Sequence, residues 1–298
     1  MRRPDLGDLE AFSAVARARS FRKAAAARGV SASSLSQIVR DLEARLGVRL
    51  LNRTTRSVAP TDAGARLLER LTPALSDIAA AVDEVCAQPD TPAGTVRINA
   101  PDPAVELVLA PMAGAFLKAY PQVRLEIVAE SAMIDIVAEG YDAGVRWDES
   151  LAKDMIAVPL GPMQRYVVLA APELIARVGA PAEPRDLLER PCIRTRFRSG
   201  VMQPWEFERD GRVTRVDPSG PLVSTSIPLM LQAALDGVGF WATFEDYGRE
   251  HVAAGRLVTV LDDWLPPFPG PYLYYPGRRQ MPAALKAFAD FARAWGRR

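Results

Sequence analysis

The segment from Ser31 to Gly47, SASSLSQIVRDLEARLG, constrains the fold of this chain more than any other stretch. Ser31 is a favourable N-cap because its hydroxyl can accept from the unpaired amides of a first helical turn, and Gly47 suits the left-handed residue after the last turn. Between them apolar residues recur at steps of three and four, which predicts one buried stripe. The opposite face carries groups that can hydrogen-bond base edges and phosphates in a major groove. These are Ser33, Ser34, Ser36, Gln37 and Arg40.

Two further helices are predicted before this segment. Apolar residues at helical spacing predict the first from Asp5 to about Ala18, and Ser20 caps a second from Phe21 to Arg28, which Gly29 ends. Two helices joined by a turn that contains glycine, the second with polar side chains outward, form the helix-turn-helix pattern. Many helix pairs of this kind bind nothing, so the pattern alone does not establish DNA binding.

A predicted hairpin follows the third helix. Residues 48–51 are apolar except for Arg49 and predict a strand. Residues 52–56 are predicted to form a polar, basic turn, and residues 57–59 a return strand. A turn that carries Arg53 and Arg56 beside a recognition helix is typical of the wing of a winged helix. Its arginines would lie along the DNA backbone or in the minor groove.

The charge is unevenly distributed, although its sum is only +1. Residues 1–66 contain thirteen Arg or Lys and six acidic residues, which gives +7 there and −6 in the remainder. A basic module attached to an acidic body indicates a polyanion partner for the first part alone.

Residues 1–66 resemble the DNA-binding domain of the LysR-type transcriptional regulators through SFRKAAAARGVSASSLSQIVRDLEARLGVRLLNRTTRSVAPTDAG. The resemblance implies that Ser31, Ser33, Ser34, Ser36 and Gln37 face DNA and that Arg53, Thr54 and Arg56 lie on the wing. The family commonly has Gln-Pro at Ala32-Ser33 and Arg at Gln37. Because glutamine can bind adenine bidentately whereas arginine favours guanine, the operator preference of relatives does not transfer to this chain.

Thr61 is predicted to cap a long helix from Asp62 to about Gln88, with Pro73 inside it. Five apolar residues alternate steps of four and three, the spacing of a coiled-coil seam; they are Leu71, Leu75, Ile78, Val82 and Val85. A helix of some 27 residues would span about 40 Å, which is longer than a helix that only packs on the core of a small domain needs to be. We interpret it as the dimerisation helix of the family; a helix packed on its own domain is the alternative.

The predicted fold class is α+β multidomain, with an N-terminal winged helix-turn-helix, a long linker helix and a C-terminal two-lobed α/β domain. Alternating strands and helices after residue 94 predict largely parallel sheets, and the resemblance implies two lobes like those of periplasmic solute-binding proteins. The predicted domains are 1–60 (DNA binding), 61–88 (linker and dimerisation), 89–94 (hinge) and 95–298 (effector binding). Within the last, lobe I is about 95–162 and 266–298, and lobe II is about 163–265.

The resemblance implies a small-molecule effector in the cleft between the lobes. The positions that match the family's cleft are Pro101, Asp102, Ser131, Met133, Trp147, Arg194, Thr195, Arg196, Phe197, Ser199, Thr225, Ser226 and Phe244. Arginines suit a carboxylate because guanidinium can pair with it bidentately. However, Arg194 and Arg196 fall on one face of a strand and Thr195 on the other, and surface ion pairs explain these arginines equally well. Trp241 and Phe244 either floor a pocket for an aromatic ligand or fill space.

The remaining composition argues against other classes of protein. His251 is the single histidine and lies in a charged stretch, which weighs heavily against most Ser-His-Asp or Cys-His hydrolytic sites, and GxGxxG, P-loop and HExxH motifs are absent. Cys86 and Cys192 lack the spacing of a metal site, so ordinary buried thiols are favoured over a redox pair. We therefore expect no metal, no cofactor and no enzymatic activity. We found neither a signal peptide nor an apolar run long enough to span a bilayer, which predicts a cytoplasmic protein without a membrane partner.

The predicted function is that of a sequence-specific transcription regulator that binds double-stranded DNA as a homodimer or homotetramer. The effector would be a small molecule of carboxylate or aromatic character, and RNA polymerase is a further candidate partner. Two alternatives remain open at this point: a small-molecule binding protein without a DNA role, and an α/β enzyme.

Overall fold

The computed structural model describes residues 4–53, 58–86, 92–132, 134–147, 155–197, 199–277 and 281–296. No helix in these ranges combines the length and the apolar character that a membrane span requires.

Three helices and a two-stranded hairpin form the N-terminal domain. They are α1 (Leu6–Ala18), α2 (Phe21–Arg28), α3 (Ala32–Leu46) and the antiparallel strands β1 (Leu51–Arg53) and β2 (Val58–Pro60). Ser31 accepts from the amide of Ser34 at the start of α3, and Gly47 ends that helix with φ +68°. The three helices bury Phe12, Leu35 and Leu42 completely between them. Local capping signals therefore place α3 where the sequence predicts it.

Helix α4 (Asp62–Cys86) begins beside this domain and runs through Pro73. The Thr61 hydroxyl accepts from the amide of Gly64 at 3.0 Å. Leu71 is buried in the core of the DNA-binding domain, and Leu75 packs against that core. Further along, Ile78 and Val82 are 44% and 56% exposed. The first part of α4 thus packs on its own domain, and the later part presents apolar side chains outward; the Val85 side chain lies outside the described residues.

Lobe I is a five-stranded sheet in the order β4-β3-β5-β14-β6 with helices packed against it. Its elements are β3 (Gly94–Ala100), α5 (Asp102–Ala104), α6 (Ala110–Ala119), β4 (Val123–Ala129), β5 (Ala143–Arg146), β6 (Met155–Pro159), β14 (Tyr272–Pro276) and α10 (Ala283–Trp295). Phe116 of α6 and Phe288 of α10 are fully buried, with ring centroids 5.0 Å apart in an edge-to-face arrangement. These two rings hold both helices on one core.

One turn of π-helix, Val105–Leu109, lies between α5 and α6. Pro111 has no amide hydrogen for the carbonyl four residues earlier, so a regular α-helix would leave that carbonyl without its partner. The amide of Ala110 instead bonds to the carbonyl of Val105. The helix is therefore interrupted next to Pro111 by one widened turn.

Lobe II repeats the strand pattern of lobe I in a second five-stranded sheet, β11-β8-β12-β7-β13. Its elements are β7 (Tyr166–Ala170), α7 (Pro172–Val178), a 3₁₀ turn (Pro184–Glu189), β8 (Cys192–Thr195), β11 (Leu222–Ser224), α8 (Ile227–Leu235), β12 (Phe240–Phe244), α9 (Glu245–Ala253), β13 (Val258–Val260) and a 3₁₀ turn (Asp262–Trp264). A separate antiparallel hairpin, β9 (Trp205–Arg209) and β10 (Arg212–Val216), packs on it.

In each sheet four strands run in the same direction and one runs opposite to them, β14 in lobe I and β7 in lobe II. The expectation of largely parallel sheets is therefore confirmed, and each opposed strand is the first one after the chain crosses from the other lobe. Between β4 and β5 the described residues 136–140 form turns. There the Asp135 carboxylate accepts from the amides of Val137 and Ala138 as an N-cap would, and the Glu139 amide bonds to the Asp135 carbonyl at 3.0 Å. Gly140, with φ +74°, then ends this single turn.

Two chain connections, residues 160–165 and 265–271, link the lobes. They are joined to each other, because Gln164 and Phe268 exchange both backbone hydrogen bonds at 2.8 Å. The connections therefore form a short antiparallel ribbon at the base of the cleft.

Candidate functional sites

The outward face of α3 carries the side chains predicted to meet DNA. Ser33, Ser34, Gln37 and Arg40 are exposed, and Ser36 is half-buried. The Ser31 hydroxyl is also exposed, but it caps α3 and lies 2.9 Å from the hydroxyl of Ser33. The exposed polar face is therefore built from short side chains at its first turn and longer ones further along.

The side chain of Glu43 fixes the hairpin to α3. One carboxylate oxygen accepts from the amides of Leu50 and Leu51 at 2.9 and 3.0 Å, and the other accepts from Arg53 at 2.7 Å. The Arg53 guanidinium also lies 5.0 Å from the centre of the Phe21 ring. Arg53 is thus engaged within its own domain, and its Glu43 partner was not identified from the sequence. Thr54 and Arg56 lie outside the described residues.

A cavity of about 670 Å³ lies between the two lobes. Lobe I contributes Pro101, Pro103, Ser131, Arg146 and Trp147, and lobe II contributes Tyr166, Ala242 and Phe244. The remaining wall comes from the loop before β9, the hairpin, the 3₁₀ turn Asp262–Trp264 and the second connection. Its residues are Phe197, Ser199, Gln203, Pro204, Trp205, Glu206, Phe207, Glu208, Val213, Trp264, Leu265, Pro266, Pro267 and Phe268. This volume lies in the range of small-ligand sites, and the lining is mostly apolar with a few polar groups.

Stacked aromatic rings join the lobes at this cavity. Trp147 of lobe I stacks on Phe244 of lobe II with ring centroids 5.3 Å apart, and Tyr166 lies 4.6 Å from Phe244. The Trp147 indole also donates to the Gln164 side chain at 2.9 Å.

Arg146 supplies a buried positive charge at the cavity wall and is 5% exposed. Its guanidinium donates to the Asn99 side chain at 2.6 Å and to the carbonyls of Val145 and Ala132 at 2.7 and 2.8 Å, and its Nε is buried without a hydrogen-bond partner. Burial lowers the pKa of Arg146, although arginine remains protonated. Within the described residues, Arg146 forms no ion pair with a carboxylate.

Several residues expected to meet an effector are placed elsewhere. Arg194 is 4% exposed, and its guanidinium is bound by Asp217 at 2.7 Å, by the carbonyl of Gln203 at 3.2 Å and by the carbonyl of Pro218. These bonds hold the segments before and after the hairpin, so Arg194 has a structural role and its assignment to the ligand is corrected. The other positions that do not line the cavity are Asp102, Thr195, Arg196, Thr225 and Ser226, and Met133 lies outside the described residues.

The structure gives Trp241 and Phe244 different surroundings. Phe244 forms part of the cavity wall, whereas Trp241 points to the other face of β12 and is 1% exposed in a core of lobe II. The alternation of side chains along a strand accounts for this difference in direction, since the two residues are three apart.

The hairpin β9–β10 was missed by the sequence analysis, although it forms one wall of the cavity. Its turn is Asp210-Gly211, and both residues have positive φ, 53° and 73°. Asp-Gly between alternating residues is a strong two-residue hairpin signal. The run WEFERDGRVTRV therefore contained enough information to identify this wall.

A second contact between the lobes lies away from the stacked rings. The Tyr247 hydroxyl of α9 donates to the Glu106 carboxylate in the π-helical turn at 2.6 Å. Burial and this hydrogen bond both raise the pKa of Tyr247, so the phenol remains a donor at physiological pH.

Comparison with known proteins agrees with this architecture. Residues 6–65 match the model of the bacterial regulatory helix-turn-helix proteins of the lysR family, and residues 89–297 match the LysR substrate binding domain. The chain is 38% identical over 291 residues to the HTH-type transcriptional regulator PgrR of Escherichia coli, covering 97% of each chain.

Two other similarities extend over nearly the whole chain. The uncharacterized HTH-type transcriptional regulator YcaN of Escherichia coli is 38% identical over 291 residues, covering 98% of this chain and 95% of YcaN. The structure of CrgA, a LysR-type transcriptional regulator from Neisseria meningitidis, superposes with a TM-score of 0.59 at 28% identity, covering 98% of this chain and 99% of CrgA. This chain belongs to the LysR family of DNA-binding transcriptional regulators with an effector-binding domain.

Proposed function

We propose that this regulator reads a dyad-symmetric DNA site with the exposed face of α3, as a dimer or tetramer built on α4, and responds to a planar carboxylate in the cleft. The cleft carries the effector part of this proposal, because it combines stacked aromatic rings with the buried cation Arg146.

The α3 face supports the DNA part. Exposed hydroxyls, an amide and a guanidinium lie on a helix that fits the major groove. Two copies related by a two-fold axis require half-sites on one face of the duplex, about one helical turn or a multiple of it apart. Turnover of a ligand is not part of this function, and RNA polymerase remains a candidate partner of the DNA-bound form.

The exposed apolar side chains of α4 support the dimer. Ile78 and Val82 are one helical turn apart, and no core formed by the described residues covers them. Packing against the same residues of a second copy would remove them from water.

Arg146 supports the carboxylate. The hydrogen bonds of its guanidinium run to neutral oxygens, and within the described residues no carboxylate forms an ion pair with it, although Glu130 acts on its charge from a greater distance. An anionic ligand group would compensate that charge, and the Ser131 side chain at the same wall could donate to it. The rim also carries Glu206 and Glu208, but Glu206 is paired with Arg215 at 2.6 Å.

Salt dependence tests the DNA part. The affinity of the chain for its own upstream region should fall at least about 100-fold between about 50 and 200 mM salt, because bound phosphates release counterions. Arg40→Ala should reduce the slope of log affinity against log salt by about one for each subunit. Arg212→Ala, an exposed arginine on the lobe II hairpin, is the matched control and should leave the slope unchanged. Binding that is insensitive to salt would contradict the proposal.

Three related probes test the effector class. Benzoate is flat and anionic, benzamide is flat and neutral, and cyclohexanecarboxylate is anionic but not flat. Only benzoate should raise the melting temperature of the chain and quench its tryptophan fluorescence, since Trp147 lies at the cavity. Equal binding of benzamide would refute the role of Arg146, and equal binding of cyclohexanecarboxylate would refute the role of the rings.

A further inference from the structure

Three neighbouring side chains on α3 form a hydrogen-bonded chain around the amide of Gln37. The Arg40 guanidinium donates to Gln37 Oε1 at 3.0 Å, and Gln37 Nε2 donates to the Asp41 carboxylate at 2.7 Å. All three residues are exposed on the helix face that is proposed to meet DNA.

These two partners determine which way the amide points. An ionised carboxylate only accepts hydrogen bonds and a guanidinium only donates them. If the amide rotated by 180°, its NH₂ group would face the Arg40 donor and its oxygen would face the Asp41 acceptor. The orientation of the Gln37 amide is therefore fixed by charge on both sides.

After these two bonds the amide still has one N–H and one oxygen lone pair available. In the major groove adenine presents one acceptor, N7, beside one donor, the N6 amino group, whereas guanine presents two acceptors, N7 and O6. A fixed amide that offers one donor and one acceptor matches adenine. Against guanine its oxygen would face an oxygen, and a fixed amide cannot rotate to remove that repulsion.

We propose that Gln37 selects adenine in each half-site and that Arg40 and Asp41 are positioning residues that exclude guanine by preventing rotation of the amide. This inference rests on the proposed DNA reading by α3 and adds the identity of one base and the means of its selection. Asp41 carries a negative charge on a DNA-facing helix, which weakens binding to phosphates, and the positioning of Gln37 gives that charge a role.

The experiment selects preferred sites for the full-length chain from a pool of random DNA duplexes. The wild-type chain should enrich one adenine at symmetric positions of two half-sites, with a preference over guanine of about tenfold or more at each. Gln37→Ala should lose this preference while the other selected bases remain. Gln37→Arg should change the selected base to guanine at the same positions.

Asp41→Asn tests the positioning role separately. Asparagine can donate as well as accept, so the Gln37 amide would rotate and the preference for adenine over guanine should fall to about threefold or less. Glu69→Gln on α4 is the matched control, because it removes the same charge from an exposed residue. Both variants should raise the affinity for all sequences to a similar small extent, and only Asp41→Asn should change the ratio between the two bases.

Two results would overturn the inference. If Gln37→Ala enriches the same adenine as the wild-type chain, Gln37 does not select it. If Asp41→Asn keeps the wild-type ratio of adenine to guanine, Asp41 does not position the amide. If the wild-type chain enriches no site, DNA reading by α3 fails as well, which separates failure of the proposed function from failure of the base assignment.

Discussion

Replacement of Glu43 should loosen the wing without affecting the effector-binding domain. In Glu43→Ala the amides of Leu50 and Leu51 lose their acceptor and Arg53 loses its carboxylate partner. The pair is largely shielded, since Glu43 and Arg53 side chains are 12% and 27% exposed. Leaving two partly buried amides without an acceptor and removing one charge-assisted bond costs about 3 kcal/mol in total.

Hydrogen exchange of the hairpin measures this loss directly. A local cost of about 3 kcal/mol corresponds to roughly 150-fold faster exchange of the Leu50 and Leu51 amides when local opening limits exchange. All five tryptophans lie at position 147 or later, so tryptophan fluorescence reports only on the effector-binding domain. The unfolding transition of the effector-binding domain, followed by this fluorescence, should therefore be the same in Glu43→Ala as in the wild-type chain.

A surface acid provides the control. Glu10 pairs with Arg28 at 3.3 Å, and the two side chains are 43% and 33% exposed. Glu10→Ala should change local stability by less than about 0.5 kcal/mol, as expected for an exposed pair. If Glu43→Ala accelerates hairpin exchange no more than Glu10→Ala does, the three hydrogen bonds do not hold the wing.

Further predictions concern packing, association and thiol reactivity. Gly64→Ala should destabilise the DNA-binding domain by about 2 kcal/mol in thermal unfolding, because a Cβ there would lie 2.0 Å from the Leu50 carbonyl oxygen. Gly114→Ala should instead stabilise α6 by about 0.5–1 kcal/mol, because nothing lies within 4 Å of the added Cβ. Val82→Arg should shift the chain toward monomer in light scattering, and an unchanged mass would exclude this part of α4 from the interface. Burial raises the pKa of the Cys192 thiol to about 12, so thiol reagents should modify it at pH 8 only after unfolding, and rapid modification of the native chain would contradict its burial.

The N-terminal domain was predictable because its signals are local. Ser20, Ser31, Gly29 and Gly47 define helix ends through hydrogen bonds and backbone angles within a few residues. The apolar spacing then determines which face is buried. None of this requires knowledge of distant contacts.

The cleft was only partly predictable because its geometry depends on distant residues. Alternation placed Arg194 and Arg196 on one face of a strand, but nothing in the sequence shows that the hairpin carbonyls and Asp217 surround Arg194. Arg146 was not predicted as a cavity residue for the same reason, since its hydrogen-bond partners Asn99 and Ala132 belong to another strand and a loop. The Asp210-Gly211 turn is different, because its local signal was present in the sequence and was overlooked.

The paired connections between the lobes limit how this regulator can respond to a ligand. Two strands that exchange hydrogen bonds at Gln164 and Phe268 resist twisting and sliding, and Pro266 and Pro267 stiffen the second strand. The remaining motion between the lobes would then be a rotation about a single axis that passes through the ribbon. Molecules of different shape that set the same angle would have the same effect on transcription, and a molecule that binds tightly without changing the angle would have none.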